Sequence, residues 1–261
     1  MLGIPITVDL SWFLVFALVL WSLSRGYLPE LRPDAPPLHL WVAGTITALL
    51  FFGSVLAHEL SHSLVARALG VEVVGITLFV FGGVSTLRGD PGDPWTEIKV
   101  ASAGPLMSLI LAAWFFSFFW MAQGAGPESS LAGTALGYLS GANVVLAVFN
   151  LVPGFPLDGG RILRAVWWLR TGSAARATRL ATRCGEGIGL ALVAWGAYRV
   201  VRHGDFGGLW MGLIGLFLRS AARTAGQIHE ARAVRDRVTV AAELPRDHPG
   251  EGPPAGAPPA G

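Results

Sequence analysis

His58, Glu59 and His62 occur as His-Glu-Leu-Ser-His. On a helix, residues four apart share a face, so both imidazoles can hold one metal ion with Glu59 beside it. That is the arrangement of a hydrolytic zinc site, in which a carboxylate takes a proton from metal-bound water. The setting is what makes it informative. Thr45–Ala57, just upstream, reads TITALLFFGSVLA and carries no charge. Ionisable side chains in such a stretch are costly and mark function. The pentad therefore points to a metal-dependent hydrolase whose site is sunk in a membrane. The competing reading is a pair of helix histidines satisfied by nearby carbonyls.

Composition favours the membrane. Of the 261 residues 52% are hydrophobic and 14% charged, against about a quarter charged in soluble domains. The net charge of +2, from 18 Arg and one Lys against 17 acids, is small and scattered and argues against nucleic acid as a partner. A single cysteine, Cys184, excludes an internal disulfide and a cysteine-based zinc site, and reads as a packing residue. The N-terminus lacks the basic region and the cleavage pattern of a signal peptide, so its apolar run is expected to be a retained span.

The elements that must position the pentad follow from hydropathy. Six segments suit a bilayer that needs about 20 apolar residues per helix: Val8–Leu23, Leu40–Leu69, Ile98–Ala122, Leu131–Val152, Ile188–Val201 and Phe206–Leu218. The fold class predicted is an all-α integral membrane protein with about six transmembrane helices. Between spans 2 and 3, Val71–Arg88 is apolar, β-branched and interrupted by Gly82-Gly83, which predicts a small re-entrant or interfacial β-hairpin. Arg161, Arg164, Arg170, Arg176, Arg179 and Arg183 lie between spans 4 and 5, whereas the loop after span 3 has no Lys or Arg. The positive-inside rule then places both termini in the cytoplasm. In this topology His62 and His58 lie about 7 Å and about 13 Å along the axis from Arg67, below the cytoplasmic surface. Residues 1–225 are expected to form the polytopic core and 226–261 a largely disordered cytoplasmic tail, with Glu230–Arg237 able to extend a helix.

A catalytic zinc takes three protein ligands and leaves one position open. His39, His203, His229 and His248 lie at the outer end of span 2, in loops or in the tail. Asp158 is better placed. It lies in Asn150-Leu-Val-Pro-Gly-Phe-Pro-Leu-Asp158-Gly-Gly160, where two prolines and three glycines forbid a continuous helix and return the chain to the depth of the pentad. Gly104-Pro105 in span 3 predicts close helix approach or a kink, and Gly185-x-Gly187-x-Gly189 predicts small-residue packing at a span start. Trp167-Trp168 between Arg164 and Arg170 predicts an interfacial helix on the cytoplasmic face.

HELSH in an early span, together with Asn150-x-x-Pro153-x-x-x-x-Asp158-Gly159 in a later one, resembles the site-2 protease family of intramembrane zinc metalloproteases. Ala103-Gly104-Pro105-Leu106 and Phe81-Gly82-Gly83 also resemble that family, and the likeness runs to about Arg183. The resemblance implies His58, His62 and Asp158 as ligands of one zinc ion, Glu59 as general base, and Asn150 as an aid to substrate or oxyanion binding. Asn150 has a structural alternative, which is to satisfy carbonyls freed by Pro153. The Val71–Lys99 segment leaves no room for the PDZ domain of some members, and no CBS pair follows, so a minimal form is expected.

The family resemblance implies a transmembrane protein substrate cut near the cytoplasmic side, in regulated intramembrane proteolysis with an upstream site-1-type protease. Location in the cell membrane follows, and the Ala, Gly, Pro and Arg bias suggests a bacterium. A metal transporter or a non-catalytic metal-binding membrane protein is the alternative.

Overall fold

The computed structural model describes residues 4–80, 82–88, 92–123 and 130–243. A short strand, β1 (Ile6–Val8), leads into α1 (Leu10–Ser22), which passes through a π-helical turn at Leu23–Tyr27 into the single turn α2 (Leu28–Leu31). Next come α3 (Pro37–Ala68), β2 (Val73–Phe79) and β3 (Gly82–Leu87). Helices follow: α4 (Pro94–Gln123), α5 (Leu131–Asn150), α6 (Asp158–Thr171), α7 (Ala174–His203) and α8 (Gly207–Glu243).

Local chemistry sets the boundaries. Ser130 accepts from the Gly133 amide at 3.1 Å, an N-cap worth about 1 kcal/mol to α5. Asp93 does the same for α4 through Thr96, and those hydrogen bonds hold its exposed carboxyl below the usual carboxylate range. At the other end, α6 and α7 stop at Gly172 and Gly204, whose φ values of 64° and 63° suit a left-handed terminus that glycine adopts without strain.

Among the described residues, four helical stretches are long and apolar enough to cross a membrane: Leu10–Leu31, Pro37–Ala68, Pro94–Ala122 and Leu131–Asn150. The fifth and sixth predicted spans lie within α7 and α8, but both helices carry charge along much of their length and fall outside that set. Large apolar side chains such as Leu14, Leu49, Ile110, Trp114 and Val145 point outward, as a hydrocarbon solvent permits. Helix α8 runs on past residue 225 to Glu243, across the expected start of the tail, and residues from 244 onward lie outside those described.

The predicted hairpin is present and has a third member, but Gly82 and Gly83, expected at its turn, are already strand residues paired with Phe79 and Leu78. Strand β1 pairs in parallel with β2 in the register Ile6↔Ile76 to Val8↔Leu78, so the order is β1-β2-β3 with β2 central. Residues 6–8, read from sequence as the edge of the first span, are therefore partly strand. In β2–β3, Ile76 opposes Ser85 and Leu78 opposes Gly83. Directly opposed residues share a face, and Ile76 and Leu78 are buried on it while Val84 on the other face is exposed. The buried face lies against α3.

Packing between helices follows residue size. Trp12 and Phe16 of α1 meet Phe52 of α3 with ring centroids 5.0 Å and 5.8 Å apart. Helices α7 and α8 touch backbone to backbone: a Cβ at Gly189 would strike the Gly215 carbonyl at 2.6 Å. Gly185 and Gly189 bear out the small-residue expectation, while Gly187 faces open space.

Candidate metal centre

The pentad occupies the last third of α3, where His58, Ser61 and His62 face inward. His58 Nε2 and His62 Nε2 lie 3.2 Å apart, and each is 3.2 Å from Asp158 Oδ2. All three residues are buried, at 2%, 4% and 9% exposure. Asp158 arrives from 96 residues further along the chain and opens α6, directly after the non-helical Leu151–Leu157 segment. The sequence-predicted ligand set is thus brought together.

That segment is held by close backbone contact. A Cβ at Gly154 would lie 2.7 Å from the backbone of Gly185 in α7, and one at Gly159 or Gly160 would strike Leu151 or Gly154 backbone. The Phe155 amide donates to the Ala181 carbonyl at 3.2 Å. Small residues here let the unwound chain fold back upon itself and deliver Asp158 to α3.

The outer nitrogens of the imidazoles are also engaged. His62 Nδ1 donates to the Val100 carbonyl at 2.7 Å, which fixes the tautomer because a carbonyl only accepts. His58 Nδ1 lies 2.9 Å from Ser108 Oγ. With its proton on Nδ1, His62 turns the Nε2 lone pair inward, and His58 does the same when Ser108 Oγ accepts from its Nδ1, as metal-binding histidines do. Two imidazole nitrogens and a carboxylate oxygen then converge with no hydrogen between them, a set that a cation satisfies. Tetrahedral bonds of about 2.0 Å separate ligand atoms by about 3.3 Å, close to the 3.2 Å triangle found. The donors thus fit a zinc ion.

Helix α4 supplies the remaining wall. A Cβ on Gly104 would fall on the Nε2 atoms of both His62 and His58. Gly104-Pro105 therefore permits close approach, and the approach is to the His58–His62 side of the candidate metal site itself. Pro105 lacks the amide that would bond Ala101, loosening the helical ladder beside the Val100 carbonyl.

Glu59 points toward the sheet. Its Oε2 accepts from Ser85 Oγ at 3.0 Å, and that hydroxyl also receives a bond from Ser63 at 3.2 Å. A Cβ on Gly83 would crowd Glu59 Cγ, so β3 sits flush against the carboxylate. Ser85, Ser108 and the Val100 carbonyl escaped the sequence reading, which took Gly83 as part of the hairpin but not as a neighbour of Glu59. The alternation of β3, which puts residues 83 and 85 on the face opposite residue 84, was the one available signal. Asn150, at the end of α5, is half-buried and donates from Nδ2 to the Leu146 carbonyl at 3.0 Å. Phe81 lies outside the described residues.

Arg164 departs from the interfacial expectation. It is buried and paired at 3.0 Å with Glu97 of α4, with its guanidinium over Trp168. Trp167 keeps an exposed ring, as an interfacial residue would. A run of Trp and Arg reads as a surface from sequence because a buried partner on another helix leaves no local trace.

This fold and donor set define a class. The model for peptidase family M50 matches residues 46–138 and 121–192. A zinc metalloprotease by name, sll0528 of Synechocystis sp., is 40% identical over 86% of this chain and 58% of its own length. Rip3 of Mycobacterium tuberculosis, also named a zinc metalloprotease, is 38% identical over 85% of this chain and 56% of its own. The solved site-2 protease of Methanocaldococcus jannaschii superposes with a TM-score of 0.60 at 27% identity, covering 87% of this chain and 92% of that one. The chain belongs to peptidase family M50, the site-2 type of zinc metalloprotease. It spans less than two thirds of the length of the curated relatives it matches.

Proposed function

We propose that the chain is an intramembrane zinc endopeptidase that hydrolyses peptide bonds of transmembrane proteins near the cytoplasmic side. The observation that carries this is the convergence of Asp158 of α6 on His58 and His62, next to Glu59 in a long apolar helix.

His58, His62 and Asp158 would hold one zinc ion. When bound, the ion supplies an activated water and a Lewis acid for the scissile carbonyl. Glu59 takes the proton of the attacking water and returns it to the leaving amine. Ser85 keeps the carboxylate oriented while it does so. Asn150 contributes its amide to the developing oxyanion by exchanging its bond to Leu146. Burial of His58, His62 and Asp158 limits bulk water, which strengthens these polar interactions.

A peptide bond inside an intact helix is covered, so the substrate must unwind and present an extended strand. Strand β2 is flanked on both sides, and its Ile76 amide already donates to the Pro5 carbonyl at 2.9 Å. The edge strands are therefore β1 and β3, and a substrate strand pairs with β3, the one beside Glu59, by β-strand addition. A proline at Ile76 or Leu78 would break the sheet and leave edge pairing untested. Leu87 is the better site. Arg88 N–H bonds inward to the Glu72 carbonyl, and alternation turns the Leu87 amide to the open side. Leu87→Pro should slow cleavage of a transmembrane reporter about tenfold at unchanged zinc content. Unchanged turnover would remove the edge-pairing step.

The six-span topology with both termini inside, a core of residues 1–225 followed by a cytoplasmic tail, and a role in regulated intramembrane proteolysis after an upstream site-1-type protease all belong to this proposal. The support is the arginine distribution and the outward apolar surface. The test is zinc content together with cleavage of a transmembrane reporter in detergent, for wild type and Asp158→Ala. One zinc per chain with cleavage in the wild type, and loss of both in Asp158→Ala, is expected. A wild type without zinc overturns the assignment.

A further inference from the structure

The Glu97–Arg164 pair is unusual among the ion pairs of the described residues in being buried on both sides, with side-chain exposures of 1% and 4%. Removing two such charges from water costs more than their attraction commonly returns, and an apolar pair of similar volume packs as well or better. A gain in stability is therefore a poor account of it. Its place in the fold suggests another.

Glu97 lies one helical turn before Val100, whose carbonyl holds His62 Nδ1. Arg164 lies on α6, the helix that Asp158 opens. The contacts close a three-sided frame: α3 to α4 through His62–Val100 and His58–Ser108, α4 to α6 through Glu97–Arg164, and α6 to α3 through Asp158. A fourth element presses on it. His229 of α8 lies 3.4 Å from Arg164 Nη1, and its ring stacks on Phe155 at 5.4 Å and 13°. Phe155 precedes Asp158 by three residues, so α8 touches both the pair and the segment that delivers the ligand.

Resting on the zinc reading above, we propose that Glu97 and Arg164 are positioning residues that set the register of α6 against α4 and so place the Asp158 carboxylate on the two histidines, with His229 bracing the pair from α8. Metal–ligand bonds tolerate errors of about 0.2 Å, whereas helices slipping by one residue move by about 1.5 Å. A directional, charged contact rejects such a slip because a displaced partner leaves an uncompensated buried charge. An apolar contact slides at little cost.

The experiment uses the full chain in detergent, with zinc affinity measured by chelator competition and thermal stability measured in parallel. The variants are Glu97→Met/Arg164→Met, Arg164→Lys and Glu97→Gln. The double variant should stay folded with a Tm near that of the wild type while zinc affinity falls at least tenfold. Its cobalt-loaded form should lose the intense visible bands of a four-coordinate site. Arg164→Lys, which keeps the charge and loses the planar fork, should fall between the two. Wild-type zinc affinity in a folded double variant overturns the proposal. Should the double variant fail to fold, wild-type affinity in folded Arg164→Lys and Glu97→Gln overturns it equally. A wild type that binds no zinc overturns the underlying metalloprotease reading instead, and the brace with it.

Discussion

Glu59→Gln leaves the chain folded and zinc-loaded and lowers kcat by about a thousandfold. The amide is close to the carboxylate in size and can still bond Ser85 Oγ, so the packing of β3 on α3 is preserved. What it loses is the capacity to carry a proton from the attacking water to the leaving amine. General acid–base catalysis contributes about 10²–10⁴-fold, and a thousandfold loss corresponds to about 4 kcal/mol of transition-state stabilisation. The check is single-turnover cleavage of a transmembrane reporter beside zinc stoichiometry. Activity within threefold of wild type would take Glu59 out of the proton path. Loss of zinc along with activity would make it part of the ligand field.

Gly104→Ala abolishes metal binding without unfolding the chain. The added methyl lands on the Nε2 atoms of His58 and His62. Neither ring can retreat freely, because Ser108 Oγ and the Val100 carbonyl, both on the same helix as Gly104, hold their other nitrogens. Nor can α4 withdraw without breaking those bonds. Alanine improves helix propensity by about 1 kcal/mol, which offsets part of the overpacking cost of about 1–3 kcal/mol. The apo protein should therefore melt within a few degrees of wild type. Zinc affinity should fall more than a hundredfold in chelator competition, and cleavage with it. Wild-type affinity in this variant would mean that α4 does not wall the ligand triangle.

Gly104 also marks the limit of what residue order reveals. The pentad and Asp158 were legible because a buried ionisable group in an apolar run is too expensive to be incidental. The unwound Pro/Gly stretch explained how a distant acid reaches them. The β2–β3 hairpin was legible from β-branched runs around Gly82-Gly83. Strand β1 was not, since Ile6-Thr7-Val8 adjoins the apolar run that becomes α1, and three residues carry too little alternation to separate strand from helix. The contact that fixes the His62 tautomer was also invisible, because its acceptor is a backbone carbonyl and any residue at position 100 would bring one. Arg164 misled because its partner Glu97 is 67 residues away, while its near neighbours in sequence are those of an interfacial helix.

The parallel pairing of β1 with β2 has a bearing on biogenesis. Ribosomes release a chain from its N-terminus, so β1 emerges first and stays unpaired until Ile76, the partner of Ile6, has been made. Ser85 follows, and with it the support of Glu59. Asp158 comes last, 100 residues behind His58. A nascent chain therefore carries the His58–His62 pentad long before it has the Asp158 carboxylate that meets it in the fold. On the proposed zinc reading, every stage of synthesis before α6 lacks one of the three groups that would hold the ion.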